Sequence, residues 1–229
     1  GSNAFGKLGD GSVENRPTPA IVPGVTDARR VSLGRNHSCA LLTTGGASCW
    51  GWNRSGQLGD GTMADRRTPV PVTSLLDAEE IAVGDSHTCV ARSDGTLLCW
   101  GDNTEGQLGD DSRIPSAMPR IIGMLAPVPP MNGFAAGGFH SCALDRASPV
   151  LRCWGSNSVG QLGGDETAPI VHQPVRVTGI AAPDRLASGF QHSFAVADWR
   201  VLFVGRKLLG QLGDGTRVDS PRPVVVDGL

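Results

Sequence analysis

The sequence lacks three features that would each have assigned it to a class of protein. It has no run of 18 consecutive apolar residues, so no segment has the length of a membrane-spanning helix. Its formal net charge is −2, which argues against a dedicated nucleic-acid-binding protein, because such proteins carry a basic patch or stripe. It also has no serine–histidine–acid or paired-carboxylate arrangement that would predict catalytic residues, and no pattern that predicts a cofactor.

A recurring block organises what is present. The 229 residues include 32 glycines and 16 prolines, a density typical of many turns between short strands. A Gly-Gln-Leu-Gly block, with Lys for Gln in the first copy, begins at Gly6, Gly56, Gly106, Gly160 and Gly210. A period near 50 residues predicts stacked or radially arranged units, each too small to bury its own apolar face.

The chain opens with a sequence that matches part of a later repeat. Residues 1–9 and 155–163 are identical at six of nine positions. We therefore expect the chain to start inside a repeat, just after a missing Cys-Trp. The alternative is an expression tag that happens to match.

Each repeat contains four short extended segments. In the second repeat they are residues 69–72, 80–83, 87–92 and 96–100, and Asp94-Gly95 between two apolar runs is a strong hairpin signal. The prolines of the first segment suit a sheet edge, because proline cannot donate to a ladder. No helical period of useful length is present. The sequence predicts an all-β chain, a single β-propeller domain over residues 1–229 built from four-stranded repeats.

The repeated string resembles a known family. Gly-x-x-His-(Ser/Thr)-Cys, followed by Cys-Trp-Gly-x-Asn-x-x-Gly-Gln-Leu-Gly-Asp-Gly, is similar to the regulator-of-chromosome-condensation repeat, of a bacterial type with paired cysteines in each hairpin. The resemblance covers essentially the whole chain. It implies a propeller, usually of seven blades, in which one blade takes strands from two neighbouring repeats.

The number of repeats departs from that pattern. The sequence holds five blocks, five proline-rich segments and four His-containing hairpins. Four to five blades would leave an open arc with exposed sheet edges. The chain could be a piece of a longer one, two copies could complete a ring, or the blades could close tightly. Association through the open edges is one expectation.

The six cysteines form three pairs within hairpins. The pairs are Cys39 with Cys49, Cys89 with Cys99, and Cys142 with Cys153. A three-residue loop at residues 93–95 would place Cys89 directly across from Cys99, within bridging range. In the fourth hairpin both positions are phenylalanine. Disulfides would indicate an oxidising compartment, hence an extracellular or cell-surface location; reduced core thiols would indicate the cytoplasm. Zinc is disfavoured because Cys-x-x-Cys spacing is absent.

Periodic polar and aromatic residues are expected to be structural. His37, His87, His140 and His192 recur once per repeat, so we expect each to bond to backbone inside its own unit. The periodic tryptophans are expected to pack between blades. The Gly59–Thr62 turn lacks the lysine of a phosphate-binding loop, and its aspartates do not match a calcium loop. No metal site is predicted.

Residues that vary between repeats are free to recognise a partner. Strand directions place the loops after the first and third strands on one face of the ring. The predicted partner-binding residues on that face are Arg35, Asn36, Trp52, Arg54, Asp85, Asp102, Glu105, Phe139, Phe190 and Arg206. Aromatic residues and arginine are enriched at binding hot spots. The alternative is plain loop variation without a partner. The longer, apolar segment 121–131 would either contact a partner or cover a blade edge.

The function that fits is a non-enzymatic, exported protein–protein binding scaffold. Some relatives in the resembled family are guanine-nucleotide exchange factors for a small GTPase, which is one alternative. Those factors use a protruding wedge between strands, and no inserted segment of that kind is visible. A carbohydrate- or surface-binding module of a larger exported protein is the other alternative. No nucleic-acid partner is predicted.

Overall fold

The computed structural model describes residues 1–122, 133–145, 150–181, 183–211 and 213–226. Within them the chain forms sixteen strands and one short 3₁₀ helix, Ala4–Gly6. The strands are β1 (Ala28–Leu33), β2 (His37–Leu42), β3 (Ala47–Gly51), β4 (Arg66–Pro71), β5 (Ala78–Val83), β6 (His87–Arg92), β7 (Leu97–Gly101), β8 (Ser116–Ile121), β9 (Phe134–Ala136), β10 (His140–Asp145), β11 (Val150–Ser156), β12 (Ile170–Arg176), β13 (Arg185–Ser188), β14 (His192–Ala197), β15 (Arg200–Gly205) and β16 (Ser220–Val225).

The strands form four antiparallel sheets of four strands each. Every sheet follows chain order, so β1–β4, β5–β8, β9–β12 and β13–β16 are blades 1 to 4. The first strands contact one another in succession, β1 with β5, β5 with β9 and β9 with β13, and therefore line the axis. These strands carry a small residue at the centre, which suits the narrow end of a blade. The predicted all-β propeller in an open arc is confirmed, with four blades.

The proline-rich segments are the outer edge strands. β4 pairs with β3, and β8 pairs with β7, so each closes the hairpin that precedes it in the chain. A blade therefore combines residues on both sides of a Gly-Gln-Leu-Gly block, as the resemblance implied. Of the five proline-rich segments, the first, at Pro17–Pro19, is not a strand. Most of the apolar segment 121–131 lies outside the described residues.

The hairpins have the predicted register. Arg92 and Thr96 are joined by a backbone hydrogen bond of 2.9 Å, which leaves the three-residue loop Ser93–Gly95 between them. Gly95 has a φ of 84°, the left-handed conformation that such a loop requires. Cys89 is thereby placed opposite Cys99, with their Cα atoms 4.1 Å apart.

All three cysteine pairs are disulfide-bonded. Cys39–Cys49 and Cys142–Cys153 have the same Cα separation of 4.1 Å as the second pair. Each closes a short loop and is expected to stabilise its hairpin by about 2–3 kcal/mol. In blade 4 the corresponding Phe194 and Phe203 face each other with ring centroids 5.8 Å apart, so apolar contact replaces the covalent bond.

The apolar core lies in the joints between blades. Trp100 of blade 2 packs with Cys39, Leu41 and other residues of blade 1, as expected for a residue that packs between blades. Leu58 of the second Gly-Gln-Leu-Gly block is completely buried in the same cluster. The same arrangement recurs with Trp154 and Leu108 at the next joint. The block is therefore the element that fills the space between adjacent blades.

Candidate protein-binding face

One backbone hydrogen bond joins the two variable loops in every blade. The amide of Trp52 donates to the carbonyl of Asn36 at 2.9 Å, and the amide of Asp102 donates to the carbonyl of Ser86 at 2.8 Å. Ser156 and Phe139 are joined in the same way in blade 3, and Arg206 and Gln191 in blade 4. The loops after the first and third strands thus form one surface, which we call the loop face. The tips of the hairpins lie at the opposite side, the hairpin face.

The part of the loop face on blade 1 is basic. Arg35 and Arg54 are both exposed, and the Lys7 ammonium donates to the Arg35 carbonyl at 3.0 Å. Trp52 is half-buried beside Phe5, with ring centroids 6.1 Å apart. Asn36 is half-buried and contributes the carbonyl that Trp52 bonds.

Blade 2 contributes the acidic residues. Asp102 accepts hydrogen bonds from the side chains of Gln107 and Thr104, each at 3.0 Å. Glu105 is half-buried in the same loop. Asp85 lies 3.8 Å from the Arg35 guanidinium across the joint. Burial raises the pKa of the Asp85 carboxyl, and the nearby arginine only partly offsets that effect.

Blades 3 and 4 contribute aromatic and apolar residues. The rings of Phe139 and Phe190 meet edge to face with centroids 5.5 Å apart, and Phe190 is 47% exposed. The Arg206 guanidinium bonds the side-chain oxygen of Gln191. Leu208 and Leu209 are exposed by 49% and 88%. They follow Arg206 in the same variable stretch, which is the sequence signal for their place on the loop face.

The loop face therefore changes character from blade to blade. It is basic on blade 1, acidic on blade 2, and aromatic and apolar on blades 3 and 4. At its centre is a cleft of about 220 Å³, which we call the axial cleft, where the loops after the first strands of all four blades meet. Its lining includes Gly34, Arg35, Gly84, Asp85, Gly189 and Phe190.

The periodic histidines connect neighbouring blades, which corrects the expectation of bonds inside each unit. His37 Nε2 of blade 1 lies 2.9 Å from Thr88 Oγ of blade 2. His87 and His140 make the same contact with Ser141 and Ser193 of the following blades, at 2.9 and 2.8 Å. The partner is a side-chain hydroxyl one repeat away rather than a nearby backbone group.

The hydroxyl in turn fixes the histidine tautomer. Thr88 donates its proton to the carbonyl of Gln57 at 2.9 Å, so it accepts from His37, whose Nε2 must carry the hydrogen. The Trp100 indole donates to the same Gln57 carbonyl at 3.0 Å. The first two joints thus contain a histidine, a hydroxyl, a block carbonyl and a tryptophan in one network. The third joint has the histidine, the hydroxyl and the block carbonyl, with Val204 at the tryptophan position.

Burial keeps these histidines neutral. His37, His87 and His140 are completely buried, and burial lowers the pKa of each to about 3. His192 is half-buried and its pKa is lowered in the same direction. The Nδ1 atoms of His37, His87 and His140 have no hydrogen-bond partner among the described residues. These side chains serve the joints, and the His87 and His140 rings pack against the loop glycines Gly84 and Gly137.

A buried asparagine, not singled out in the sequence, organises four of the five Gly-Gln-Leu-Gly loops. Asn53 donates to Asp60 Oδ1 and to the carbonyls of Thr62 and Ala64, and it accepts from the Leu58 amide at 2.9 Å. The loop aspartates thus satisfy local donors. Within the described ranges no three His, Cys, Asp or Glu side chains are grouped as metal ligands would be. In blade 4 the asparagine position is Lys207, which is buried and paired with Asp214.

Comparison with known proteins assigns the repeat. The profile described as the regulator of chromosome condensation (RCC1) repeat matches residues 1–41, 45–91 and 94–144, and a second profile of the same description matches residues 28–57 and 79–107. The chain belongs to the RCC1 repeat family. The three matched ranges run through blades 1 and 2 and end within β10 of blade 3.

Relatives of known sequence share only part of this chain. A probable E3 ubiquitin-protein ligase of Homo sapiens, HERC6, is 36% identical over 101 residues, 42% of this chain and 10% of its own length. Another, HERC4, is 35% identical over 98 residues, 42% of this chain and 9% of its own. The chain therefore spans about a tenth of the length of these relatives.

Solved structures show the same fold. Prp20p of Saccharomyces cerevisiae, described by its binding to Gsp1p and histones, superposes with a TM-score of 0.85 at 23% identity, covering 94% of this chain and 54% of Prp20p. Human WBSCR16 also gives 0.85, at 22% identity, over 99% of this chain and 61% of its own. The RCC1-type blades thus cover part of each neighbour.

Among the described residues, no helix combines the length and apolarity needed to cross a membrane.

Proposed function

We propose that this RCC1-type arc is a non-enzymatic scaffold that binds a protein partner through its loop face. The observation that carries the proposal is the hydrogen bond between the two variable loops of each blade, which gathers residues far apart in sequence into one surface. That surface combines an aromatic pair, of which Phe190 is exposed, with charges of both signs, a composition typical of binding hot spots. Prp20p, which shares the fold, is described by its binding to proteins.

Matched substitutions on the two faces test the proposal. Phe190→Ala and Arg54→Glu change the loop face, whereas Trp199→Ala removes a fully exposed aromatic side chain at the tip of the β14–β15 hairpin. Photo-crosslinking of purified wild type and variants in extracts of the source cells would be read by mass spectrometry. Loss of the same crosslinked protein in both loop-face variants, but not in Trp199→Ala, is the expected result. Equal loss in all three, or none, would contradict it.

We also propose that the protein works in an oxidising compartment. Three disulfides within one chain are compatible with an extracellular or cell-surface location, because thiols stay reduced in most cytoplasms. Labelling intact cells with a membrane-impermeant biotin reagent tests the location. Labelling only after lysis would place the protein inside the cell.

The exchange-factor and carbohydrate-binding alternatives remain predictions. A nucleotide-release assay with a small GTPase tests the first, and binding to a glycan array tests the second.

Self-association also remains a prediction. The two ends of the arc differ in how far their residues are already covered. At blade 1, Lys7 of the first block already bonds Ser38 and Trp50. At blade 4, His192 and Phe194 are half-exposed. Sedimentation equilibrium of the intact chain measures its mass directly.

A further inference from the structure

The axial cleft lies between tightly packed loops. Its walls are the glycine-containing loops of the four blades, which pack so closely that a Cβ on Gly34 would stand 2.1 Å from the Gly84 carbonyl oxygen. A Cβ on Gly84 would likewise stand 2.5 Å from the Gly137 oxygen. The glycines therefore leave no room for side chains between adjacent loops of the cleft.

One carboxylate in this cleft is incompletely satisfied. Asp85 Oδ2 is buried and has no hydrogen-bond donor among the described residues, and only 18% of the side chain is exposed. A buried carboxylate without donors is costly, and here burial raises its pKa. An incoming donor with positive charge would remove that cost.

The cation now closest to Asp85 is poorly placed to do so. Arg35 lies 3.8 Å away, beyond hydrogen-bond distance, and 68% of its side chain is exposed. An exposed ion pair of this kind contributes little to stability, because solvent screens the charges and the long side chain must give up conformational freedom to form the pair. Arg35 is therefore readily displaced by a better donor.

The same lining supplies an aromatic surface. Phe190 belongs to the cleft lining and is held in place by its edge-to-face contact with Phe139. A planar guanidinium can stack on such a ring while its N–H groups bond a carboxylate, which an ammonium does less well. Asp85 and Phe190 together therefore favour arginine over lysine.

We propose that the axial cleft is a pocket for an arginine side chain presented by the protein partner, with Asp85 accepting from the guanidinium and Phe190 stacking on it. The inference rests on the proposed function and names the chemistry at the centre of the same face. Arg35 acts against binding, because it occupies Asp85 and repels the incoming charge. Removing Arg35 should therefore strengthen binding.

Titration with N-acetyl-arginine amide, followed by the amide resonances of Gly84, Gly137 and Gly189, tests the proposal. The expected dissociation constant is on the order of 1 mM, as for a ligand of this size. Asp85→Asn should weaken binding about tenfold, and Arg35→Ala should tighten it about threefold. Phe190→Ala should remove the preference over N-acetyl-lysine amide. Asp94→Asn on the hairpin face makes the same charge change and should leave the constant unaltered.

Several results would overturn the pocket. They are no shifts at the three glycines, equal binding of N-acetyl-aspartate amide, or an Asp85→Asn variant that binds like the wild type while keeping its thermal midpoint. The probe reports on the cleft alone. If it fails while loop-face variants still lose their crosslinked partner, the scaffold proposal stands and only the arginine pocket falls.

Discussion

His37 in blade 1 donates its Nε2 hydrogen to the hydroxyl of Thr88 in blade 2 across 2.9 Å, and both side chains are completely buried. The hydroxyl passes its own hydrogen to the Gln57 carbonyl. Repetition of this contact at the next two joints means that the blades are joined by polar networks as well as by apolar packing.

Removing the hydroxyl should weaken a joint. Thr88→Val keeps the shape of the side chain but leaves the His37 Nε2 hydrogen buried without an acceptor, so the free energy of unfolding should fall by about 2 kcal/mol. Urea denaturation at neutral pH measures the change. Thr18→Val, at an exposed position, is the matched control and should change stability by no more than about 0.5 kcal/mol. Equal stability of the two variants would rule out the network's contribution.

Acid should destabilise the arc earlier than its carboxylates alone would. His37, His87 and His140 have folded pKa values of about 3 and an ordinary value of 6.5, so below pH 6.5 the unfolded chain binds more protons than the folded chain. Stability is therefore present above pH 6.5 and is lost as the pH falls towards 3. Each histidine contributes a slope of up to about 1.4 kcal/mol per pH unit.

Denaturation between pH 7 and 5 measures that slope, in a range where the aspartates with lowered pKa values remain charged in both states. His140→Gln should reduce it, because one titrating group is gone. An unchanged slope in that variant, or a pH-independent stability across the range, would contradict the assignment of neutral buried histidines.

Asn53 should be essential to its loop. Asn53→Ala removes the side chain that bonds Asp60, the carbonyls of Thr62 and Ala64 and the Leu58 amide, and we expect a loss of about 3 kcal/mol. Thermal or urea unfolding measures it. Asn36→Ala is the matched control, because Asn36 uses its backbone carbonyl, which the substitution retains. A comparable loss in both would show that the loop does not depend on the buried amide.

The cysteines should be unreactive without a reductant. A thiol titration of the denatured protein is expected to detect no free thiol, because all six cysteines are paired. Reduction should then lower the urea midpoint, since each bridge contributes about 2–3 kcal/mol. Six reactive thiols in freshly purified protein would contradict the disulfides and remove the support for export.

The period and the hairpin signals were enough to predict the blades, the opposed cysteines and the shared loop face. The histidine partners were missed because periodicity alone cannot distinguish a bond inside a repeat from one between repeats. A signal did exist. His37 is followed by Ser38, and adjacent residues of a strand point to opposite faces. Each strand therefore offers a histidine to one neighbouring blade and a hydroxyl to the other.

Some features of the candidate site depend on how neighbouring blades are oriented, and no sequence pattern specifies that orientation. The distance between Asp85 and Arg35, and the exposure of Phe190, depend on how far each blade is rotated from the previous one. The segment lengths do not encode that rotation. The substitution of Lys207 for the loop asparagine was visible in the sequence, but its pairing with Asp214 required the folded loop.

In blades 1 to 3, each Gly-Gln-Leu-Gly block lies between the third and fourth strands of its blade and packs against the next blade. The arc can therefore be shortened by whole repeats. Excising residues 57–106 would join Gly56 directly to Gln107 and give blade 1 the outer strand β8 in place of β4. His37 would then meet Ser141, the Gln107 carbonyl and Trp154, a set already assembled at another joint. Recombination at equivalent glycines is thus a route by which such chains gain or lose blades without new side-chain chemistry.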